Sequence, residues 1–311
     1  MFLINLFHLF FACVLLSLST LLYAGTPTGI VVLETDFGLK DGAVSAMKGV
    51  MYSVDPALLI SDLTHEVPPY NIWEGAYRLY QAAPYWPKGT VFVSVIDPGV
   101  GSGRHSIVAK GNSGQYFVGP DNGLLTLIND NGGIAAVREI DESKNRLTGS
   151  HESYTFHGRD VYGYTAARLA AGKISFAEVG PMFTAPLVKL SYQKATLLNN
   201  KLCGEIVIFD PNYGNAWTNI GSQLAKKYGI TDGQSYKVTL YHYKNKKYER
   251  VIPFKNTFSG VKKGSDLLYL NSLLNLAIGT NQGDFAHSNQ LGRDPGWWVE
   301  IERAALTQHS F

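Results

Sequence analysis

The sequence predicts an α/β N-terminal domain, three layers around a largely parallel sheet, followed by an all-β, barrel-like C-terminal domain. Three observations carry this. Short β-branched runs alternate with segments of helical period through Ala171, the rhythm of β-α-β units. After the proline-bounded stretch Pro181 to Lys189 the pattern changes to strands separated by polar turns. With 311 residues, 45% of them hydrophobic, the chain is long enough to fill two such cores.

Composition excludes some classes of function. A net charge of +2, without a basic run or Arg/aromatic interleaving, argues against nucleic-acid binding. Eighteen tyrosines and five tryptophans suit aromatic pockets and cores alike. Residues 1–24 hold no charged side chain and end in Leu22-Tyr23-Ala24 before a flexible spacer. That pattern fits a secretory signal cleaved after Ala24, hence an exported, periplasmic or secreted protein. The missing Lys or Arg near the start and the length of the run leave an uncleaved membrane anchor, or a misassigned start, open. Cys13 lies in this leader, so the mature chain keeps Cys203 alone. It has no internal disulfide and no Cys/His zinc spacing. The expected division is a leader over 1–24, an α/β domain over 26–188 and a β-barrel domain over 196–311.

Ile30 to Leu33 reads as the first strand and runs into Thr35-Asp36-Phe37-Gly38. An acid just past a strand sits where α/β sheets present ligand groups. A kinase reading of D-F-G fails, because no Gly-rich loop, V-A-I-K or H-R-D accompanies it. A helix over Asp41 to Val54 follows, with Val44, Met47, Val50 and Met51 on one face, stopped by Asp55-Pro56. Leu58 to Ile60 is the second strand. Asp62 and His65 after it invite a metal reading with Asp36, Asp97 and His157, but a pair three apart beyond a strand does not converge by itself. A cap or turn role for Asp62 and Thr64 is the expectation. Asn71 to Tyr80 forms the next helix, with Trp73, Ala76, Tyr77 and Tyr80 on one face.

Val91 to Arg104, V-F-V-S-V-I-D-P-G-V-G-S-G-R, is the stretch around which the rest is organised. A buried strand stops at Asp97-Pro98-Gly99, since proline removes a backbone donor and glycines loosen the turn. Asp97 therefore stands at the carboxyl end of a strand, with Arg104 close enough to turn back toward it; a solvated surface pair is the bland alternative. Ser106 to Lys110 and Gln115 to Val118 flank the turn Gly111 to Gly114, and Leu124 to Ile128 begins an apolar element. Thr155-Phe156-His157-Gly158-Arg159-Asp160 opens a helix through Tyr164, Ala167 and Ala171. Asp160 would favour that helix's dipole, and His157 is a candidate general base if the fold brings it beside Asp97 and Arg104. Pro181 to Lys189 reads as an irregular tether. Lys201 to Phe209, Gln234 to Tyr243, Arg250 to Phe254 and Leu267 to Asn271 read as antiparallel strands, one turn being Tyr243 to Lys247, and the tail after Trp298 carries little. The loop Phe209 to Trp217 is rich in carboxylate, amide and aromatic groups suited to a planar heterocycle.

Together T-D-F-G, M-K-G at Met47 to Gly49, D-L-T-H at Asp62 to His65, V-I-D-P-G-V-G-x-x-R, P-D-N-G at Pro120 to Gly123, T-F-H-G-R-D, F-D-x-x-Y-G-N-x-W-T-N and Asn271-Ser272 resemble one family. It is the S-adenosyl-L-methionine hydroxide adenosyltransferases, hydrolase relatives of the fluorinase and chlorinase enzymes. The resemblance spans nearly everything after the leader. It implies an α/β domain, a β-barrel, and a homotrimer with active sites between subunits. The implied reaction is attack of water or hydroxide at the ribose C5′ of S-adenosyl-L-methionine, giving adenosine and methionine without cofactor or metal.

By motif, Asp97, Arg104 and His157 match the family's catalytic set, and Asp36 the carboxylate on the ribose hydroxyls. Asp210 matches the acid that meets the methionine ammonium, and Ser272 a contact to its carboxylate. Tyr213 and Asn215 match the adenine loop, with backbone groups near Thr280 and Gln282. Tyr70 sits where the halogenases place an aromatic against the substrate.

A sulfonium is already an activated leaving group, so the site needs chiefly an aligned nucleophile. The halogenases carry tyrosine at the Asp97 position and an uncharged pocket, with serine or glycine at that of Gly158, so the charged set here points to hydrolysis. Leu273 departs from the pattern, standing where halogenases carry arginine, and an exported enzyme would need substrate outside the cytoplasm. Two other classes compete. One is a nucleoside- or sulfonium-binding protein without turnover; the other is a metal-dependent phosphoesterase using Asp36, Asp62, His65 and Asp97, for which no ligand spacing is convincing.

Overall fold

The structure, a computed structural model, describes residues 28–304 apart from residue 293. The leader and Cys13 lie outside the described residues. The chain divides into two compact units between Leu190 and Ser191.

The first unit is an α/β sandwich. Its strands are β1 (Ile30–Thr35), β2 (Leu59–Thr64), β3 (Val91–Val95), β4 (Ser106–Gly111), β5 (Tyr116–Pro120) and β6 (Ile134–Glu139), in the order β2-β1-β3-β5-β4-β6. β1, β2, β3 and β5 run parallel, and β4 is antiparallel to both its neighbours. The reversal follows from the Gly111–Gly114 turn, whose Gly114 takes φ +86° and folds β4 and β5 into a hairpin. The sheet is therefore mixed, with one strand reversed.

Strand alternation divides the core between the two faces. Val31, Leu33, Val91, Val93 and Val95 pack with Met47 and Met51 of α1 (Ala43–Val54) and with Val161, Ala166 and Leu169. Val32, Phe92 and Phe117 face the other way, with Leu79 of α2 (Ile72–Ala82). α1 starts two residues later than the periodicity suggests, because Asp41 Oδ1 accepts from the Ala43 amide in a turn. α2 is capped by Asn71, whose Oδ1 accepts from the Glu74 amide at 3.0 Å. Short helices α3 (Thr126–Asn131) and α4 (Glu142–Asn145) precede a π-helical turn, Gly158–Gly163, that runs into α5 (Tyr164–Ala170).

Pro181 to Lys189 is irregular but is laid along this unit. The Phe183 amide donates to Val137 O, Val188 N to Asp121 Oδ1, and Phe183 and Leu187 join the core.

The second unit is an antiparallel, nearly closed sheet. Its strands are β7 (Thr196–Leu198), β8 (Lys201–Phe209), β9 (Ala216–Gly221), β10 (Ser235–His242), β11 (Asn245–Pro253), β12 (Asp266–Leu270), β13 (Asn275–Thr280) and β14 (Trp297–Arg303). The order is β11-β10-β14-β8-β9-β13-β12, with β7 on β8. A bridge from Phe254 to Leu268 draws the two ends of that order together. Two expectations change here. The turn between β10 and β11 shrinks to Tyr243-Lys244, with Tyr243 at φ +53°. The stretch after Trp298 is a central strand, with Val299 and Ile301 fully buried between β10 and β8.

Candidate active site

In the first unit the loops at the carboxyl ends of β1 and β3 and the π turn converge. Val95 and Ile96 are buried, and the Ile96 carbonyl accepts from Asn122 Nδ2 at 2.8 Å, which fixes the backbone just before Asp97. Arg104 turns back as its position suggests. Its Nε donates to Asp97 Oδ1 at 2.8 Å and Oδ2 at 3.0 Å, and its Nη2 also donates to Oδ2. The same Nη2 lies 2.9 Å from His157 Nδ1. Side-chain exposure is 4% for Asp97 and 11% for Arg104, so this is no solvated surface pair. Burial tends to lower the Arg104 pKa, but the hydrogen bond to Asp97 and the charges around it raise it overall. The guanidinium stays charged.

That contact determines the state of the imidazole. A guanidinium only donates, so His157 Nδ1 must accept and the proton of the neutral ring sits on Nε2. Burial first, and the Arg104 charge second, lower the His157 pKa and favour the neutral ring. His157 Nε2 is buried with no hydrogen-bond partner among the described residues. The site therefore offers an N–H donor there. The neutral ring presents a donor and not a free lone pair, because Arg104 occupies the only lone pair it has.

The neighbours hold this geometry. Tyr162 packs edge-on to His157 at 6.3 Å, lies under the Arg104 guanidinium, and its hydroxyl is 3.3 Å from Ser106 Oγ. An α-helix would not bring residues five apart to one side; the π turn does. A Cβ on Gly158 would press Val95 at 3.3 Å and Phe37 at 3.4 Å, so glycine lets the turn seat against both. Asp160 lies in the first turn of the helical segment, as expected, but that turn is a π turn. Asp160 is fully buried and chelated by Arg159, whose Nε donates to Oδ1 at 2.6 Å. Tyr154 flanks His157 at 6.4 Å. Its loop is gathered by buried Arg146, which donates to Ser150 Oγ and to the Ser150 and Ser153 carbonyls and stacks over the Tyr154 ring. Sequence reasoning missed Tyr154, Tyr162 and Arg146. The signal available was their clustering around T-F-H-G-R-D.

Asp36 is half-buried just past β1, and its Oδ2 accepts from the Tyr70 amide at 2.9 Å. Tyr70 is 72% exposed and held at φ +67°. Asp62 departs from its expected turn role: it lies in β2, with Lys48 Nζ 2.7 Å from Oδ2 and His65 Nε2 3.0 Å from Oδ1. Thr64 does take a turn role, accepting from the Glu66 amide. Among the described residues no group of three or more His, Cys, Asp or Glu is arranged to hold a metal ion.

The remaining candidates belong to the second unit and are built around Asp210. Its Oδ1 accepts from the amides of Asn212 (2.9 Å) and Tyr213 (3.1 Å), and Asn215 Nδ2 lies 3.5 Å from Oδ2. Gly214, at φ +60°, has no room for a Cβ, which would fall 1.8 Å from Asp284 Oδ1. Asn215 Oδ1 is buried without a partner among the described residues, while the Tyr213 ring is exposed. Thr280 Oγ1 donates to Asp266 Oδ1 at 2.6 Å, which commits its side chain and leaves the backbone role expected of it. Gln282 is exposed at φ +54°, and Ser272 is exposed on the turn after β12.

A mixed-sheet α/β unit carrying a buried Asp-Arg-His set, followed by an antiparallel barrel-like unit, defines the class, and the comparisons agree. SAM hydroxide adenosyltransferase N-terminal domain matches residues 31–180, and SAM hydroxide adenosyltransferase C-terminal domain matches residues 204–298. The chain belongs to the SAM hydroxide adenosyltransferase family. An (R)-S-adenosyl-L-methionine hydrolase of Salinispora tropica is 34% identical over 87% of the chain and 96% of that protein. One of Methanocaldococcus jannaschii is 46% identical over 45% of the chain, a match spanning about half (52%) of that relative. A fluorinase of an Actinoplanes species is 27% identical over 84% of the chain and 94% of that protein. The crystal structure of an uncharacterized conserved protein from Thermotoga maritima superposes with a TM-score of 0.81, at 34% identity, covering 88% of this chain and all of that one.

Proposed function

We propose that the chain hydrolyses S-adenosyl-L-methionine to adenosine and L-methionine, with Asp97, Arg104 and His157 as its catalytic residues. The observation that carries this reading is the hydrogen bond from Arg104 Nη2 to His157 Nδ1. It turns the buried Nε2–H into a donor beside a guanidinium, a place for the oxygen of water as it becomes hydroxide. Asp97 grips Arg104 through two nitrogens and fixes its plane. The water oxygen bonds to C5′, the C5′–S bond breaks, and its electron pair stays on sulfur. Sulfonium becomes neutral thioether and the water proton leaves to solvent, so charge balances. Nothing in this sequence of events calls for a cofactor or a metal.

Asp36 is proposed to take the ribose hydroxyls and Tyr70 to lie against the substrate. Asp210 takes the methionine ammonium, Ser272 the carboxylate, and Tyr213, Asn215 and the backbone at Thr280 and Gln282 the adenine. Asn215 Oδ1, buried and without a partner among the described residues, suits an exocyclic amine. We also propose assembly as a homotrimer and export by the leader, with membrane attachment if the leader is kept.

Halide transfer is the second reading, favoured by the fluorinase relative. The charged Asp97–Arg104 pair speaks against it, since those groups serve water rather than a desolvated anion. Incubation with S-adenosyl-L-methionine and chelator, with and without chloride, tests both by mass spectrometry. Adenosine and methionine, indifferent to chelator and chloride, are expected. Halogenated adenosine, or no product, would refute the hydrolase.

A further inference from the structure

Three motifs, M-K-G, D-L-T-H and T-D-F-G, meet in one line of hydrogen bonds and one close polar contact that the reaction itself does not use. Lys48 Nζ donates to Asp62 Oδ2 at 2.7 Å. His65 Nε2 lies 3.0 Å from Asp62 Oδ1, in a contact bent away from ideal hydrogen-bond geometry. His65 Nδ1 lies 2.8 Å from Thr35 Oγ1, which accepts from the Phe37 amide at 3.2 Å. One assignment of protons suits the whole line. Asp62 keeps the His65 proton on Nε2, Nδ1 accepts from the Thr35 hydroxyl, and Thr35 accepts from Phe37.

Asp36 lies inside that frame. Thr35 and Phe37 flank it, and the Gly38 amide donates to the His65 carbonyl at 2.7 Å. His65 thus grips the loop from both sides of Asp36, by its ring and by its backbone. A register shift between Leu33 and Glu34 in the β1–β2 pairing re-aims the end of β2 where this happens. The inner residue is 3% exposed, whereas the Lys48 and Asp62 side chains are 29% and 40% exposed. The outer pair contributes little to stability by itself. What it does is orient a buried ring.

We propose that His65, oriented by Asp62 and Lys48, is a positioning residue for Asp36, and that this line sets how tightly the chain holds the ribose of its substrate. The proposal rests on the reading of Asp36 as the ribose ligand. A carboxylate that must meet two adjacent hydroxyls has to be held in one orientation before they arrive, and a loop free to shift spends binding energy on ordering.

The test is steady-state kinetics of the full chain with S-adenosyl-L-methionine, for Asp36→Asn, His65→Ala, His65→Asn, Thr35→Val and the Asp36→Asn/His65→Ala double variant. His65→Ala is expected to raise KM about tenfold, the equivalent of one lost hydrogen bond in a buried network, with kcat within about twofold. His65→Asn keeps an acceptor near the Nδ1 position and should recover much of that loss, which a purely structural role would not produce. Thr35→Val should repeat the KM effect in a variant that retains the ring. Added to Asp36→Asn, His65→Ala should do little more, because the two act through one contact. Unchanged KM in both His65→Ala and Thr35→Val, or effects that add fully to those of Asp36→Asn, would overturn the positioning role. Unchanged KM in Asp36→Asn itself would instead remove the ribose reading on which the proposal stands.

Discussion

Arg104 Nη2 donates to His157 Nδ1 at 2.9 Å while the same guanidinium is held by Asp97. This pairing fixes the imidazole as an acceptor at Nδ1 and a donor at Nε2. A nucleophilic oxygen placed beside Nε2 receives a hydrogen bond from it and does not lose a proton to it.

Replacing Arg104 by lysine keeps the charge but loses the fork that reaches Asp97 and His157 together. Arg104→Lys should lower kcat by about a hundredfold or more, the scale of removing a preorganised donor. The KM should stay near wild type. Single-turnover kinetics would measure it, and full activity in the lysine variant would show that charge alone suffices.

The pH profile follows from the same contact. The His157 pKa is lowered from 6.5, by burial first and by Arg104 next, so the neutral, active ring persists below that pH. Protonating Nδ1 would set an N–H against the guanidinium and break the set. The acid limb of kcat/KM should therefore fall below 6.5, with no loss of rate as pH drops from neutrality to that point. An acid limb at or above 6.5 that disappears in His157→Asn would contradict the argument.

Glu34 gives a stability prediction independent of catalysis. It is fully buried on β1 and its pKa is pushed up to about 8 by burial, against the opposing pull of its Ser94 hydrogen bond and of Arg78. The fold holds the neutral acid, whereas the unfolded chain ionises near 4.5. Glu34's contribution to stability should be full below 4.5 and decline as pH rises from there toward 8. Glu34→Gln should flatten that slope in thermal melts, and a wild-type slope in the glutamine variant would refute it.

At Gly214 the backbone is left-handed and a Cβ would strike Asp284 and the Ala286 amide. Gly214→Ala should cost about 2 kcal/mol or more, combining strain with a clash. Denaturant melts would show the loss. Calorimetry with adenosine should show weakened binding, since the Asp210–Asn215 loop would have to open. Neutral behaviour in both would mean that the loop relaxes freely.

Much of the fold was legible because its elements follow local rules. Val91 to Val95 declares itself a buried strand, and Asn71 to Tyr80 a helix, from residue type and spacing alone. β14 was not legible, because Trp297 to Arg303 alternates with charged residues and gains its central place only from pairing with β10 and β8. In the candidate site, the motifs carried residue identity but not contact geometry. Nothing in Asp62 or Lys48 announces their pairing, since they are joined across a helix and a strand. The tautomer of His157 was equally hidden. It depends on which Arg104 nitrogen comes to Nδ1, and that depends on a π turn no apolar period encodes.

The most direct measurement of the central claim is to run the reaction in oxygen-18 water and read the adenosine by mass spectrometry. Hydrolysis by a water held at Arg104 and His157 predicts one heavy oxygen per adenosine, at the 5′ position. It also predicts loss of product formation in Asp97→Ala, Arg104→Ala and His157→Ala variants that still fold. Adenosine without the label, or labelled adenosine at wild-type rates from all three variants, would contradict the account.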